Sequence, residues 1–197
     1  MSKPLALSSL PVTRIAMNAN TDSALSLQSE EFLWDSPAAT PAHGYLFPTV
    51  RDWLRQANAR TVLDLGCGLG YSAAVIARIA GTVIAVENDE RFAADAQRLL
   101  SEEGVDNALV IAGPLAAGAA KHAPYDTITV QGGVETVPDA LLAQLKDGGR
   151  IGAIFMDGAL GTAKIGFKSE GRVSWRPVFN ATAPVLDGFR KASAFAL

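Results

Sequence analysis

Downstream of residue 60, apolar positions fall into short unbroken runs separated by stretches of helical spacing. The runs Thr61–Leu65, Thr82–Glu87, Ala108–Ala112, 126–130 and 150–155 are too short for helices. Such runs read as strands buried on both faces, the habit of a parallel sheet. Residues 71–80 between the first two runs are alanine-rich and helical in pattern. Asn88 or Asp89 can cap a second helix with the apolar face Phe92, Ala93, Ala96, Leu99 and Leu100, ending near Gly104. Pro138 opens a third helix carrying Leu141, Leu142 and Leu145, closed by Gly148. Beyond Gly161 the pattern changes to two candidate strands, 162–167 and 173–179, joined by a short charged connection containing Gly171. That is a hairpin signal. The expected fold is α/β: a Rossmann-like, doubly wound, mostly parallel sheet with a C-terminal antiparallel hairpin.

Upstream, residues 1–40 are rich in Ser, Thr, Asn and Ala with no sustained period, and 35–44 form a loop by composition. Thr49 can cap a helix to about Asn58 that buries Val50, Trp53 and Leu54. The expected division is an N-terminal arm over 1–45 and one domain over 46–197. Val185, Leu186, Phe189 and Phe195 make the tail apolar enough to pack.

Composition narrows the functional classes. At 197 residues and 49% hydrophobic, the chain suffices for one well-buried domain. Its 17 basic and 20 acidic residues form no basic cluster, so a nucleic-acid partner has no electrostatic support. Cys67 is the only cysteine, which rules out an internal disulfide and fits a reducing compartment. His43 and His122 are the only histidines, and no cluster has metal-ligand spacing. Lys3 precedes Leu5-Ala6-Leu7, but Pro11 and Arg14 interrupt that run, making a poor signal peptide. No later stretch approaches a membrane span, so the expected location is the cytoplasm, with no membrane partner.

The candidate chemistry sits in the first turn, Gly66-Cys67-Gly68-Leu69-Gly70, with Glu87 at the tip of the second strand. A dinucleotide fingerprint needs glycine at position 71, where the chain has Tyr71. Asp64 instead precedes the first glycine by two positions, an acid suited to a cationic cofactor better than to a pyrophosphate. The stretch therefore resembles the first motif of class I S-adenosylmethionine-dependent methyltransferases. On that reading Asp64 and the turn of Gly66, Cys67, Gly68 and Gly70 hold the methionine end, and Tyr71 and Ser72 belong to the cofactor site. Glu87 takes the ribose hydroxyls, and Asn88, Gly113, Leu115 and Gln131 complete the cofactor site. Asn88 has a competing role as a helix cap.

Further segments carry a more specific likeness. Tyr71-Ser72-Ala73-Ala74, Ala123-Pro124-Tyr125-Asp126 and Val137-Pro138-Asp139-Ala140-Leu141-Leu142 leading to Asp147-Gly148-Gly149-Arg150 resemble the protein-L-isoaspartate O-methyltransferase family. The resemblance implies methylation of an L-isoaspartyl carboxylate in damaged protein or peptide. It places Thr40 and His43, in the family's substrate loop, on the acceptor side. Two positions depart from the family. Pro114 stands where an acid usually lies near the adenine, and Ala42 and Gly44 replace the loop's serine and proline. A carboxylate acceptor, with a pKa near about 4, is ionised at neutral pH and needs no general base. The shortage of catalytic histidines therefore favours it over amines or phenols. Small-metabolite methylation, or cofactor binding without catalysis, are the alternatives.

Overall fold

The computed structural model describes residues 59–191. Five parallel strands come first in the sheet: β1 (Thr61–Leu65), β2 (Thr82–Glu87), β3 (Ala108–Ala112), β4 (Tyr125–Val134) and β5 (Leu145–Asp157). β6 (Leu160–Ser169) and β7 (Arg172–Asn180) then run antiparallel, giving the spatial order β3-β2-β1-β4-β5-β6-β7. The chain moves outward from β1 to β3 and then returns to the other side of β1 for β4. That reversal creates a crevice at the carboxyl ends of β1 and β4, the place where open α/β sheets take ligands.

Strand periodicity sorts the core into two layers. Val62, Val83, Ala85 and Ala108 face α1 (Tyr71–Ala77) and α2 (Glu90–Glu102), where Ala73, Ile76 and Leu100 meet them. Leu63, Leu65, Ile84, Val86 and Ile128 face the other way, toward Leu115, Leu141 and Phe189. The expected mostly parallel sheet with its antiparallel hairpin is what forms. Among the described residues, that second face is covered by short turns, the one-turn helix α3 (Asp139–Leu142) and the returning C-terminal segment.

Several boundaries differ from expectation for identifiable reasons. α1 stops at Ala77 because Asn107 Nδ2 donates to the carbonyls of Ala77, Ala80 and Gly81, satisfying the helix end early. α3 ends at Leu142, and Leu145 begins β5 by pairing with Tyr125, so tertiary pairing overrides a helical spacing of leucines. Phe92 is 47% exposed, while Ala93, Ala96 and Leu100 carry the buried stripe of α2. The predicted arm, the helix ending near Asn58, Thr40, His43 and Phe195 lie outside the described residues.

Candidate functional site

The turn after β1 holds its shape by glycine. Gly66, Gly68 and Gly70 have φ of 80°, 55° and 87°, the left-handed region closed to most side chains. They differ in surroundings. A Cβ on Gly70 would lie 3.2 Å from Ala96 Cβ, so this glycine lets α2 pack against the turn. A Cβ on Gly66 would meet Leu186 Cδ1 at 3.4 Å, so a side chain from the C-terminal segment covers that position. A Cβ on Gly68 would meet nothing within 4 Å beyond its chain neighbours, so that side of the residue is open.

Glu87 turns toward this opening. Its Oε2 accepts the Gly68 N–H at 2.8 Å, and Oε1 accepts the N–H groups of Asn88 and Asp89 at 2.9 and 3.2 Å. A carboxylate has about four acceptor positions, so one remains for a hydroxyl beside Gly68. Asp89, not Asn88, caps α2, its side chain accepting from the N–H groups of Arg91 and Phe92. Asn88 is thereby left at the cleft.

Asp64 is expected at the cleft, but it is fully buried, on the α1 side of β1. Its Oδ2 accepts from Ser72 Oγ, and Oδ1 accepts from Thr129 Oγ1 at 2.9 Å and Gln131 Nε2 at 2.7 Å. Thr129 is its registered partner on β4, so the network ties β1, β4 and α1 together beneath the turn. Burial pushes the Asp64 carboxyl above its ordinary range, and hydrogen bonds from Ser72, Gln131 and Thr129 offset part of that rise. Ser72 and Gln131 thus spend hydrogen bonds on Asp64 beneath the turn, and neither lines the cleft described below. The Cys67 thiol is also pushed up, by burial first and then by the Asp64 and Glu87 carboxylates. It stays a neutral packing group. Tyr71 opens α1 and is half-buried.

Beside Glu87 lies a cleft of about 380 Å³, lined by Asn88, Glu90, Gly113, Pro114, Leu115 and Asp187 among others. That volume suits a small-molecule site. Gly113 reaches it from the end of β3, its N–H donating to the Glu87 carbonyl at 2.9 Å. Leu115 opens a turn that Gln144 fastens from inside, donating to the Ala117 carbonyl and accepting the Ala119 N–H. Asp187 and Gly188 are the wall that sequence reasoning missed; only an apolar tail signalled that this segment returns. Among the described residues no cluster of His, Cys, Asp and Glu has the makings of a metal site.

A family model described as protein-L-isoaspartate(D-aspartate) O-methyltransferase matches residues 12–156. The chain is similar to protein-L-isoaspartate O-methyltransferase 2 of Pelobacter propionicus, 39% identical over 112 residues, covering 57% of this chain and 50% of that one. It is 33% identical over 116 residues to the protein-L-isoaspartate O-methyltransferase of Thermotoga maritima, covering 57% and 37% of the two chains. The chain thus spans about half the length, or less, of these curated relatives. A solved protein-L-isoaspartate O-methyltransferase superposes with TM-score 0.67 at 26% identity, covering 73% of this chain and 47% of that one. The fold is also that of a Plasmodium falciparum structure solved with S-adenosyl-L-homocysteine, with TM-score 0.62 at 16% identity and coverage of 76% and 75%.

Proposed function

Because the chain belongs to the protein-L-isoaspartate(D-aspartate) O-methyltransferase family, we propose that it binds S-adenosyl-L-methionine and methylates a carboxylate, that of an L-isoaspartyl residue in damaged protein or peptide. One observation carries the cofactor half: the open side of Gly68, bonded to the Glu87 carboxylate, whose chain neighbour Asn88 lines the cleft. When bound, the cofactor supplies an electrophilic methyl group on a sulfonium. Glu87 holds the ribose, and the carboxylate's charge favours a cationic ligand nearby. Gly68 accepts the ligand against its main chain, and Gly113 and Leu115 border the base. Gln131 and Ser72, oriented by Asp64, border the methionine end together with Gly66, Gly70 and Tyr71. A carboxylate acceptor brings its own negative charge, so no residue has to remove a proton first. Keeping Cys67 as a thiol removes a competing nucleophile from beside an alkylating group.

The reading extends to residues 1–45 as a substrate-side arm, with Thr40 and His43 beside the acceptor. It also places the protein in the cytoplasm. A single cysteine supports that location, as does the lack, among the described residues, of any helix long and apolar enough to cross a membrane. Transfer of labelled methyl from S-adenosylmethionine to an isoaspartyl peptide, run beside the aspartyl peptide, tests the activity. The expected result is incorporation into the isoaspartyl peptide alone. Stabilisation by S-adenosylhomocysteine without transfer to either peptide would favour a small-molecule acceptor or a binding protein without catalysis.

A further inference from the structure

After β7 the chain turns back over the carboxyl end of the sheet and is bolted there at several points. The Gly133 N–H donates to the Pro184 carbonyl at 2.7 Å, and the Leu186 N–H returns the bond to Gly133 at 2.9 Å. Phe189 is fully buried, and its carbonyl accepts the N–H groups of Glu135 and Thr136. Between these anchors the Phe189 N–H donates to the Leu186 carbonyl at 3.2 Å, closing a β-turn with Asp187 and Gly188 at its tip. Gly188 has φ of 84°, as a type II turn requires at its third position. A Cβ on Gly188 would lie 2.7 Å from Ala116 Cβ, so the turn presses directly on the Pro114–Ala116 wall of the cleft. The position of Asp187 is therefore set by backbone on both sides.

The cleft walls are otherwise poor in side-chain acceptors at this end. Ala112, Gly113, Leu115 and Ala116 offer apolar surface and main chain, and Pro114 has no N–H to donate. An adenine base presents ring nitrogens that accept hydrogen bonds and one exocyclic amine that donates. Leu115 N–H, at the start of its turn, suits a ring nitrogen. The amine then needs an oxygen on the same side. Two carboxylates line the cleft: Glu90, in the first turn of α2 beside Asn88, and Asp187, held against Ala116 through Gly188. Only the second lies on the Pro114–Ala116 side. Resting on the cofactor reading above, we propose that Asp187 accepts a hydrogen bond from the exocyclic amine of the adenine base and makes the site selective for an aminopurine. The C-terminal segment is then a binding element and not merely a cover.

Calorimetric titration of the full chain with S-adenosylhomocysteine and with its 6-deamino analogue, a purine in place of adenine, separates the possibilities. For Asp187→Ala, affinity for S-adenosylhomocysteine should fall about tenfold, the order expected for a hydrogen bond to a charged group. Affinity for the deamino analogue should change less than about twofold, since that ligand has no amine to lose. Asp187→Asn keeps a carbonyl oxygen and should recover most of the loss, and Glu90→Ala should not discriminate between the ligands. Equal losses on both ligands with Asp187→Ala, or an amine-specific loss with Glu90→Ala instead, would overturn the assignment. Failure of the wild-type protein to bind either ligand would overturn the cofactor reading itself.

Discussion

Replacing Gly68 by alanine separates what the turn does for folding from what it does for a ligand. The substitution adds one methyl group at φ of 55°, where a left-handed backbone penalises any Cβ by about 1 kcal/mol. No steric term is added, because no protein atom lies within 4 Å of that methyl. Gly104, at the end of α2, supplies a matched control: its φ is 66°, and a Cβ there would also meet nothing within 4 Å. Gly68→Ala and Gly104→Ala should therefore lose the same stability, about 1 kcal/mol by urea unfolding, or about 2–4 °C in Tm for a chain of this size. Their ligand affinities should diverge. The methyl on residue 68 occupies the space in which the cofactor is proposed to lie, and S-adenosylhomocysteine binding should weaken by about tenfold or more, that is, by about 1.4 kcal/mol. Gly104→Ala should bind as the wild type does.

Gly70→Ala completes the series from the other side. Its Cβ would stand 3.2 Å from Ala96 Cβ, so overpacking against α2 adds about 1–3 kcal/mol to the left-handed penalty. Calorimetric titration of all three variants beside unfolding curves gives both quantities on one set of samples. If Gly68→Ala and Gly104→Ala bind S-adenosylhomocysteine equally well, no ligand lies on Gly68, and the main argument for the cofactor site is refuted.

Three further outcomes follow from the same geometry. Glu87→Gln turns one acceptor oxygen into a donor facing a backbone N–H, so unfolding experiments should show a loss of about 1–3 kcal/mol, with S-adenosylhomocysteine affinity falling as well. Unchanged stability would contradict the three-donor arrangement. Thr127 is fully buried, and among the described residues its hydroxyl finds no hydrogen-bond partner, so Thr127→Val should raise stability by about 1 kcal/mol. A measured loss would reveal a partner for that hydroxyl. Burial alone would raise the Asp126 pKa, but Lys146 Nζ at 2.7 Å and the hydrogen bonds from Thr61 and Arg60 pull it down to about 2. A depressed carboxyl stabilises the fold above its unfolded pKa, here the ordinary 3.8, and that contribution disappears as the pH falls through 2. Asp126→Asn should thus lose about 1–2 kcal/mol at pH 7, allowing for the pair's partial exposure, with the gap closing between about pH 4 and pH 2. A gap independent of pH would place the effect in packing and not in charge.

What could be read from the sequence, and what could not, divides along contact range. The unit from β1 through α1 to β2 obeys local rules only: an apolar run, three glycines at positive φ, an alanine-rich helix and an acid at the next strand tip. The hydrogen bond that closes the unit spans 19 positions, so pattern alone sufficed to place Gly68 and Glu87 together. The leucines at 141, 142 and 145 also have helical spacing, yet Leu145 leaves the helix because β4 offers it a registered partner in Tyr125. Spacing carries no information about that competitor. The return of Leu186 to Gly66 and Gly132, and of Lys191 to Glu135 across 56 positions, is more distant still. An apolar tail announces that it will pack somewhere, and the sheet decides where.

Asp64 shows the same limit acting on chemistry. An acid two positions before the glycines reads as a charge offered to the cleft, but strand alternation sends it to the face covered by α1, beneath the turn. There its oxygens are taken by Ser72, Thr129 and Gln131, and burial works against its ionisation. The carboxylate that does meet the opening is Glu87, at the carboxyl end of its strand, where its Oε2 accepts the Gly68 N–H. The negative character of the site therefore comes from Glu87, the acid proposed to hold the ribose. Asp64 acts at one remove, fixing the turn to β4 and aiming the Gln131 amide. A site that selects a cation would then depend on the Glu87 charge directly, and on Asp64 only through the geometry it imposes.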